Sequence, residues 1–208
     1  NIVKTLTIAA ALTMSGSFVT AQDMIQKNNV TLKSDVMTPE ALWAMGRIGG
    51  YSASPSGKQI VYQVGYYSVK ENKSHQMLYI MNVDGSGIKA LTTDAKSETD
   101  ASWIANGTKI AFLREGEIWT MDANGENRKK LSDTEGAIEG YKFSPDGKKV
   151  ILLKSLDYHG TIKKNPSDLP LATGRLVTDM NYRHWDHYVE QISHAFVADV
   201  TENGIANV

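Results

Sequence analysis

The chain has 208 residues, 41% of them hydrophobic, with 22 Lys and Arg against 23 Asp and Glu, a formal net charge of -1 and no cysteine. Without a basic field or a local basic patch, neither nucleic acid nor an anionic membrane surface is expected as a partner. The lack of cysteine excludes a disulfide framework, a thiolate metal site, a cysteine nucleophile and a lipidated cysteine, so no membrane anchor is expected.

Lys4, the apolar run from Leu6 to Met14 and the small residues Val19-Thr20-Ala21 before Gln22 have the order of a secretory signal peptide over residues 1–21. Its apolar part is interrupted by Ser15-Gly16-Ser17 and falls short of the roughly 20 residues that cross a bilayer. An exported protein, periplasmic or secreted, is therefore expected. The chain opens at Asn1 without an initiator Met, which places the expected true start a little upstream.

Residues 22–50 are predicted to be a leader with a docking helix, polar from Gln22 to Val36 with room there for one short strand. Thr38 is its N-cap, Pro39 its first residue, and Glu40 suits the positive end of the helix dipole. Leu42, Trp43 and Met45 form the apolar side expected to pack on the domain edge.

From residue 51 onward the sequence repeats. Ser54-Pro55-Ser56-Gly57-Lys58, Ile104-Ala105-Asn106-Gly107-Thr108 and Ser144-Pro145-Asp146-Gly147-Lys148 are tight turns between strands, with proline or glycine setting the backbone. The strand after the last of them, Lys149 to Lys154, is an apolar run bounded by charge. A second turn follows in each unit, at Asp84-Gly85 and Asn124-Gly125, leading to a short strand that closes on Leu91-Thr92 or Leu131-Ser132. Gly107 and Gly147 stand 40 residues apart, as do Gly85 and Gly125, close to the roughly 40 to 45 of a four-stranded propeller blade. Gly57 and Gly107 stand 50 apart; the ten extra residues, within Gly65 to Gln76, are expected to form a longer hairpin loop.

The third unit stretches. Its outward strand resumes only at His194-Ala195-Phe196-Val197, so the segment between Leu153 and His194 is expected to be an insertion on one face, and loops of that size are usually functional. The fold class expected is all-β: a partial β-propeller of about three four-stranded antiparallel blades over residues 51–208, with a short N-terminal helix. Three blades do not close a ring, which predicts the front part of a longer protein.

Within the insertion, Tyr182-Arg183-His184-Trp185-Asp186-His187 concentrates aromatic, basic and acidic side chains. His184, Asp186 and His187 are metal-ligand types, but strand alternation would send His187 to the opposite face, so no metal is expected. In the substrate-facing alternative Arg183 clamps a carboxylate while Tyr182 or Trp185 supplies an apolar wall; inter-strand packing competes with it. Gly50-Tyr51-Ser52-Ala53-Ser54 lacks the closing glycine of a nucleophile elbow, leaving no catalytic residue to assign. Asp122 to Asn127 begins like a calcium loop but carries Asn127 where glycine is needed, so a hairpin is expected there. Asn29, Asn72 and Asn106 head glycosylation acceptor triplets, which matter only in a eukaryotic secretory pathway.

Thr38-Pro39-Glu40, the Ser54-Pro55 and Phe143 to Lys148 turns, Tyr182 to Asp186 and Ser193 to Val197 together resemble the N-terminal propeller of the prolyl oligopeptidase family, in its exported dipeptidyl peptidase and acylaminoacyl peptidase branch. The resemblance covers residues 37–208. It implies a propeller that filters and orients peptide substrates for a C-terminal α/β-hydrolase domain carrying a Ser-Asp-His triad, with no cofactor. The region that would match the triad lies outside this sequence, so the chain alone is expected to be inactive. The competing expectation is a periplasmic binding propeller like that of the Tol system, without hydrolase activity. Blade total, cleavage preference and oligomeric state are not legible in the residues.

Overall fold

The structure, a computed structural model, describes residues 24–27, 31–32, 34–157, 162–163, 171, 176–177 and 191–206. Helix α1 (Pro39–Ala44) is followed by strands β1 (Arg47–Ala53), β2 (Gln59–Ser68), β3 (Lys73–Asn82) and β4 (Lys89–Ala90), which pair in sequence order as the first antiparallel sheet. A second sheet repeats the order with β5 (Glu98–Ile104), β6 (Lys109–Arg114), β7 (Glu117–Asp122) and β8 (Lys129–Lys130). The third begins with β9 (Ile138–Phe143) and β10 (Lys149–Asp157), departs into a small hairpin of β11 (Ile162–Lys163) and β12 (Leu176–Val177), and ends with β13 (Gln191–Thr201) and β14 (Gly204–Ala206). These are three four-stranded propeller blades in an open arc, as the 40-residue spacing predicts.

Turn chemistry explains the recurrence. Ser54 Oγ accepts from the Gln59 amide at 3.0 Å and Ser144 Oγ from the Lys149 amide at 2.9 Å, so in blades one and three a serine satisfies the first amide after the turn. Gly57 and Gly147 sit at φ +68° and +70°, where a side chain is resisted. Blade two has neither serine nor proline there, and its Ala105–Gly107 turn instead holds three successive residues at positive φ, of 49°, 54° and 85°. At the other end of the repeat, the buried hydroxyls of Thr92 and Ser132 accept from the Leu78 and Ile118 amides at 2.9 and 2.8 Å. They replace the carbonyl that the short outer strand no longer reaches.

Strand alternation gives each blade two apolar faces. Ile110, Phe112 and Met121 of blade two meet Val61, Leu78, Ile80 and Leu91 of blade one. On its other face Ala111, Leu113 and Ile118 meet Ile138, Val150, Leu152 and Ala198 of blade three. Burying a side chain such as Phe112 contributes about 1.5–3 kcal/mol. Lysines one repeat apart reinforce both joints: Lys89 Nζ donates to the Asn124 carbonyl at 2.9 Å and Lys129 Nζ to that of Glu202 at 3.2 Å. The arc leaves blade three's far face open, with Ile151, Leu153 and Val197 exposed.

Three expectations are corrected. The ten extra residues of blade one form no long loop: β2 and β3 pair without interruption from Gln59↔Asn82 to Ser68↔Lys73, because strand-favouring tyrosines fill the added length. The helix forms with Thr38 Oγ1 accepting from the Ala41 amide at 3.2 Å, but Ala41 is its buried residue while Leu42, Trp43 and Met45 stay between 41% and 46% exposed. Blade three's strands also outrun the expected insertion bounds, pairing as far as Asp157↔Gln191, which confines the departure to residues 158–190. No strand occurs among the described residues of 22–36; Met24 and Ile25 pack instead on Val64, Tyr66 and Met77 of blade one's outer face, and His75 Nδ1 lies 2.8 Å from the Ile25 carbonyl.

Candidate functional site

Antiparallel order puts the tip of the β2–β3 hairpin, the β6–β7 turn, the end of β10 and the start of β13 on one edge of the arc, with the starts of β1, β5 and β9 beside them. Residues 158–190 depart from and return to this edge. Both repeated turns lie on the opposite edge, which leaves them an architectural part.

A groove of about 970 Å³ opens on the first edge, between the β8–β9 connection, the end of β10 and the start of β13. Lys154 reaches into it although the residue is only 7% exposed, and its ammonium lies 5.5 Å from the centre of the Phe196 ring. Among the described residues that ring contact is its polar environment, with no carboxylate in ion-pair range. His194 is its cross-strand neighbour. Asp157 closes the end of the groove, accepting from Gln191 Nε2 at 3.1 Å. On the reverse side of the same strands Glu139 accepts from the Ser155 hydroxyl and, at 2.7 Å, from that of Ser193. These bonds, Ser155's first, hold its carboxyl below the usual range.

The same edge of blade two is charged but internally matched. Arg114 Nη1 lies 2.8 Å from Asp94 Oδ2 and 3.0 Å from Glu98 Oε1, and Arg128 joins Asp94 at 3.1 Å and the Leu91 carbonyl at 2.5 Å. Burial, followed by the neighbouring Asp94 charge, pushes Glu98 up to about 7 in spite of both arginines. Burial acts on Asp94 in the same sense, but the Lys96 amide and Arg114 outweigh it and leave this carboxyl lowered. Glu98 Oε2 and Arg114 Nε are buried without hydrogen-bond partners among the described residues.

In blade one, Arg47 lies 4.5 Å from the ring centres of both Trp43 and Tyr67, which meet edge to face at 5.6 Å. This clamp ties α1 to the long hairpin and forms one wall of a cavity of about 370 Å³ that Lys73 also lines. Among the described residues no group of three His, Asp or Glu side chains is placed to hold a metal ion.

Tyr182, Arg183 and Trp185, with His184, Asp186 and His187, lie outside the described residues. The pairing of Asp157 with Gln191 places the points where their segment leaves and rejoins the fold. Sequence reasoning missed Lys154, taking it as a solvated strand end, and missed the Asp94, Glu98 and Arg114 cluster. Arg114 and Lys154 stand one 40-residue repeat apart, a signal already present in the sequence.

No family model matches the chain. Dipeptidyl-peptidase 5 of Porphyromonas endodontalis is 39% identical over 179 residues, covering 84% of this chain and 26% of the relative. That of Porphyromonas gingivalis is 41% identical over 173 residues, covering 81% and 25%. The chain is propeller sequence of the prolyl oligopeptidase family. Its membership extends over about a quarter of the length of these curated relatives. Among solved structures, the acylaminoacyl peptidase of Pyrococcus horikoshii superposes with a TM-score of 0.57 at 14% identity, over 80% of this chain and 25% of that one, a likeness of fold. The prolyl oligopeptidase propeller thus accounts for the three blades; the activity of a complete protein is a separate matter.

Proposed function

We propose that this chain supplies the gating and substrate-orienting propeller of an exported serine dipeptidyl peptidase, whose α/β-hydrolase domain follows in the same protein. The observation that carries this proposal is the 39% identity to a dipeptidyl-peptidase 5 across 84% of the chain. Export rests on the signal-like order of residues 1–21. The long departure at 158–190, rooted beside an open groove on one edge, suits a part that faces substrate. In this proposal Arg183 clamps a peptide carboxylate or carbonyl and Tyr182 and Trp185 wall its apolar side chains.

The test is to express the complete reading frame and assay release of dipeptides from peptide N-termini. Activity, with a Gly-x-Ser-x-Gly elbow downstream of residue 208, supports the proposal. A frame that closes just past residue 208, or that encodes further blades alone, overturns it in favour of a binding propeller. Arg183→Ala in the complete protein is expected to raise KM about tenfold with a smaller fall in kcat, since a group that only positions substrate acts on binding. Unchanged kinetics would remove Arg183 from the site.

A further inference from the structure

Blades two and three carry the same cation with different surroundings. Register fixes the equivalence: Arg114 pairs across with Glu98, and Lys154, one repeat later, with Ile138. Each cation lies over the aromatic ring one strand further on, Arg114 at 5.4 Å from the centre of Trp119 and Lys154 at 5.5 Å from that of Phe196. Those rings are themselves equivalent, opposite Phe112 and Leu152 respectively. In blade two the cation is paired with Asp94 and Glu98. Forty residues on, those positions hold Thr134 and Ile138, and neither carries charge.

Lys154 is only 7% exposed as a residue, and an ammonium drawn partly out of water without an anion carries a cost that falls when a carboxylate arrives. The remaining acids of the groove and its neighbourhood are engaged or peripheral, Asp157 being exposed at the groove's end and bonded by Gln191 Nε2 at 3.1 Å. Glu117 is held by Ser132, by Lys130 at 3.3 Å and by the Thr134 amide at 3.3 Å. Asp133 pairs with Lys130 at 2.7 Å, and Glu135 is exposed at the rim. Space for the two side chains that blade two uses is present as the open groove, which Thr134 and Lys154 both line.

We propose that Lys154, in the groove that Phe196 and the uncharged Thr134 also line, is a binding site for a carboxylate brought by a ligand, occupying the place that Asp94 and Glu98 fill in blade two. For a protein that handles peptides the matching source is a peptide's own carboxylate, so the identity of the ligand rests on the proposed peptidase function. The site itself rests on the blade comparison.

The complete protein is titrated calorimetrically with one tetrapeptide as its free acid and as its C-terminal amide, and with acetate as the minimal probe. The free acid is expected to bind about tenfold more tightly than the amide, as a charge-assisted hydrogen bond allows. Lys154→Met keeps the length and packing of the side chain and is expected to abolish the difference. Thr134→Asp, which rebuilds the blade-two arrangement with an internal carboxylate, is expected to abolish it as well while leaving Tm unchanged or raised. Binding of acetate without discrimination between the two peptides would retain the carboxylate site and remove the peptide as its source. Equal binding of acid and amide with no binding of acetate overturns the site. A drop in Tm for Lys154→Met with the acid preference intact also overturns it, marking the lysine as a partner of the chain's own acids. Hydrolysis of a dipeptidyl coumarin amide, which has no carboxylate, is read in parallel. It tests the peptidase function alone.

Discussion

Glu98 is a carboxyl whose burial works against its charge, and the sign of its effect on stability follows. With its folded pKa raised to about 7 from a reference of 4.5, the folded state binds the proton more tightly than the unfolded chain. Stability is then fullest below the unfolded value and is lost as pH rises through the folded one, with a maximal slope of about 1.4 kcal/mol per pH unit for a single proton. Thermal unfolding of the complete protein between pH 4.5 and 7 should show this loss, and Glu98→Gln should flatten it; an unaltered profile would mean that Arg114 and Arg128 hold Glu98 charged throughout. The pairing was not legible in the sequence because Glu98 and Arg114 look like ordinary solvated strand ends. Only the register of β5 on β6 turns both inward.

At the level of the strand and turn, the repeated glycines divide by what surrounds them. At Gly147, φ is +70° and an added Cβ would meet nothing within 4 Å, so Gly147→Ala should cost only the left-handed backbone term, about 1–2 kcal/mol. At Gly204, φ is +139° and the added Cβ would lie 2.7 Å from the Leu131 carbonyl oxygen, which is itself fixed by the Ile205 amide at 3.0 Å. Gly204→Ala should therefore cost clearly more, measurable as a larger drop in denaturation midpoint. A ranking in the opposite order would refute this account of the outer turn. Blade spacing was legible because turn glycines mark it directly. The hairpin of blade one was not, since Gly65 and the polar Lys70 to Lys73 imitate a loop while the tyrosines between them extend the ladder. Lys154 escaped for a related reason: a charge at the end of an apolar run implies solvent, and a neighbouring blade covered it.

For the molecule as a whole, the exposed row of Ile151, Leu153 and Val197 is the face on which another blade would sit. Residues 22–208 expressed alone should associate or unfold without a sharp transition, whereas the complete protein should not; ultracentrifugation and a thermal melt decide it, and a well-behaved monomer would contradict the expectation. Val197→Asp should destabilise the complete protein by about 2–4 kcal/mol if that face is covered there. The two ends of the arc differ in a way that bears on synthesis. Met24 and Ile25 leave the ribosome ahead of blade one and lie on the apolar face that a final blade would otherwise be needed to shield. A nascent first blade can thus be sheltered by residues made before it, while blade three must wait for residues made after it, and the hazard of aggregation during synthesis moves along with the growing end.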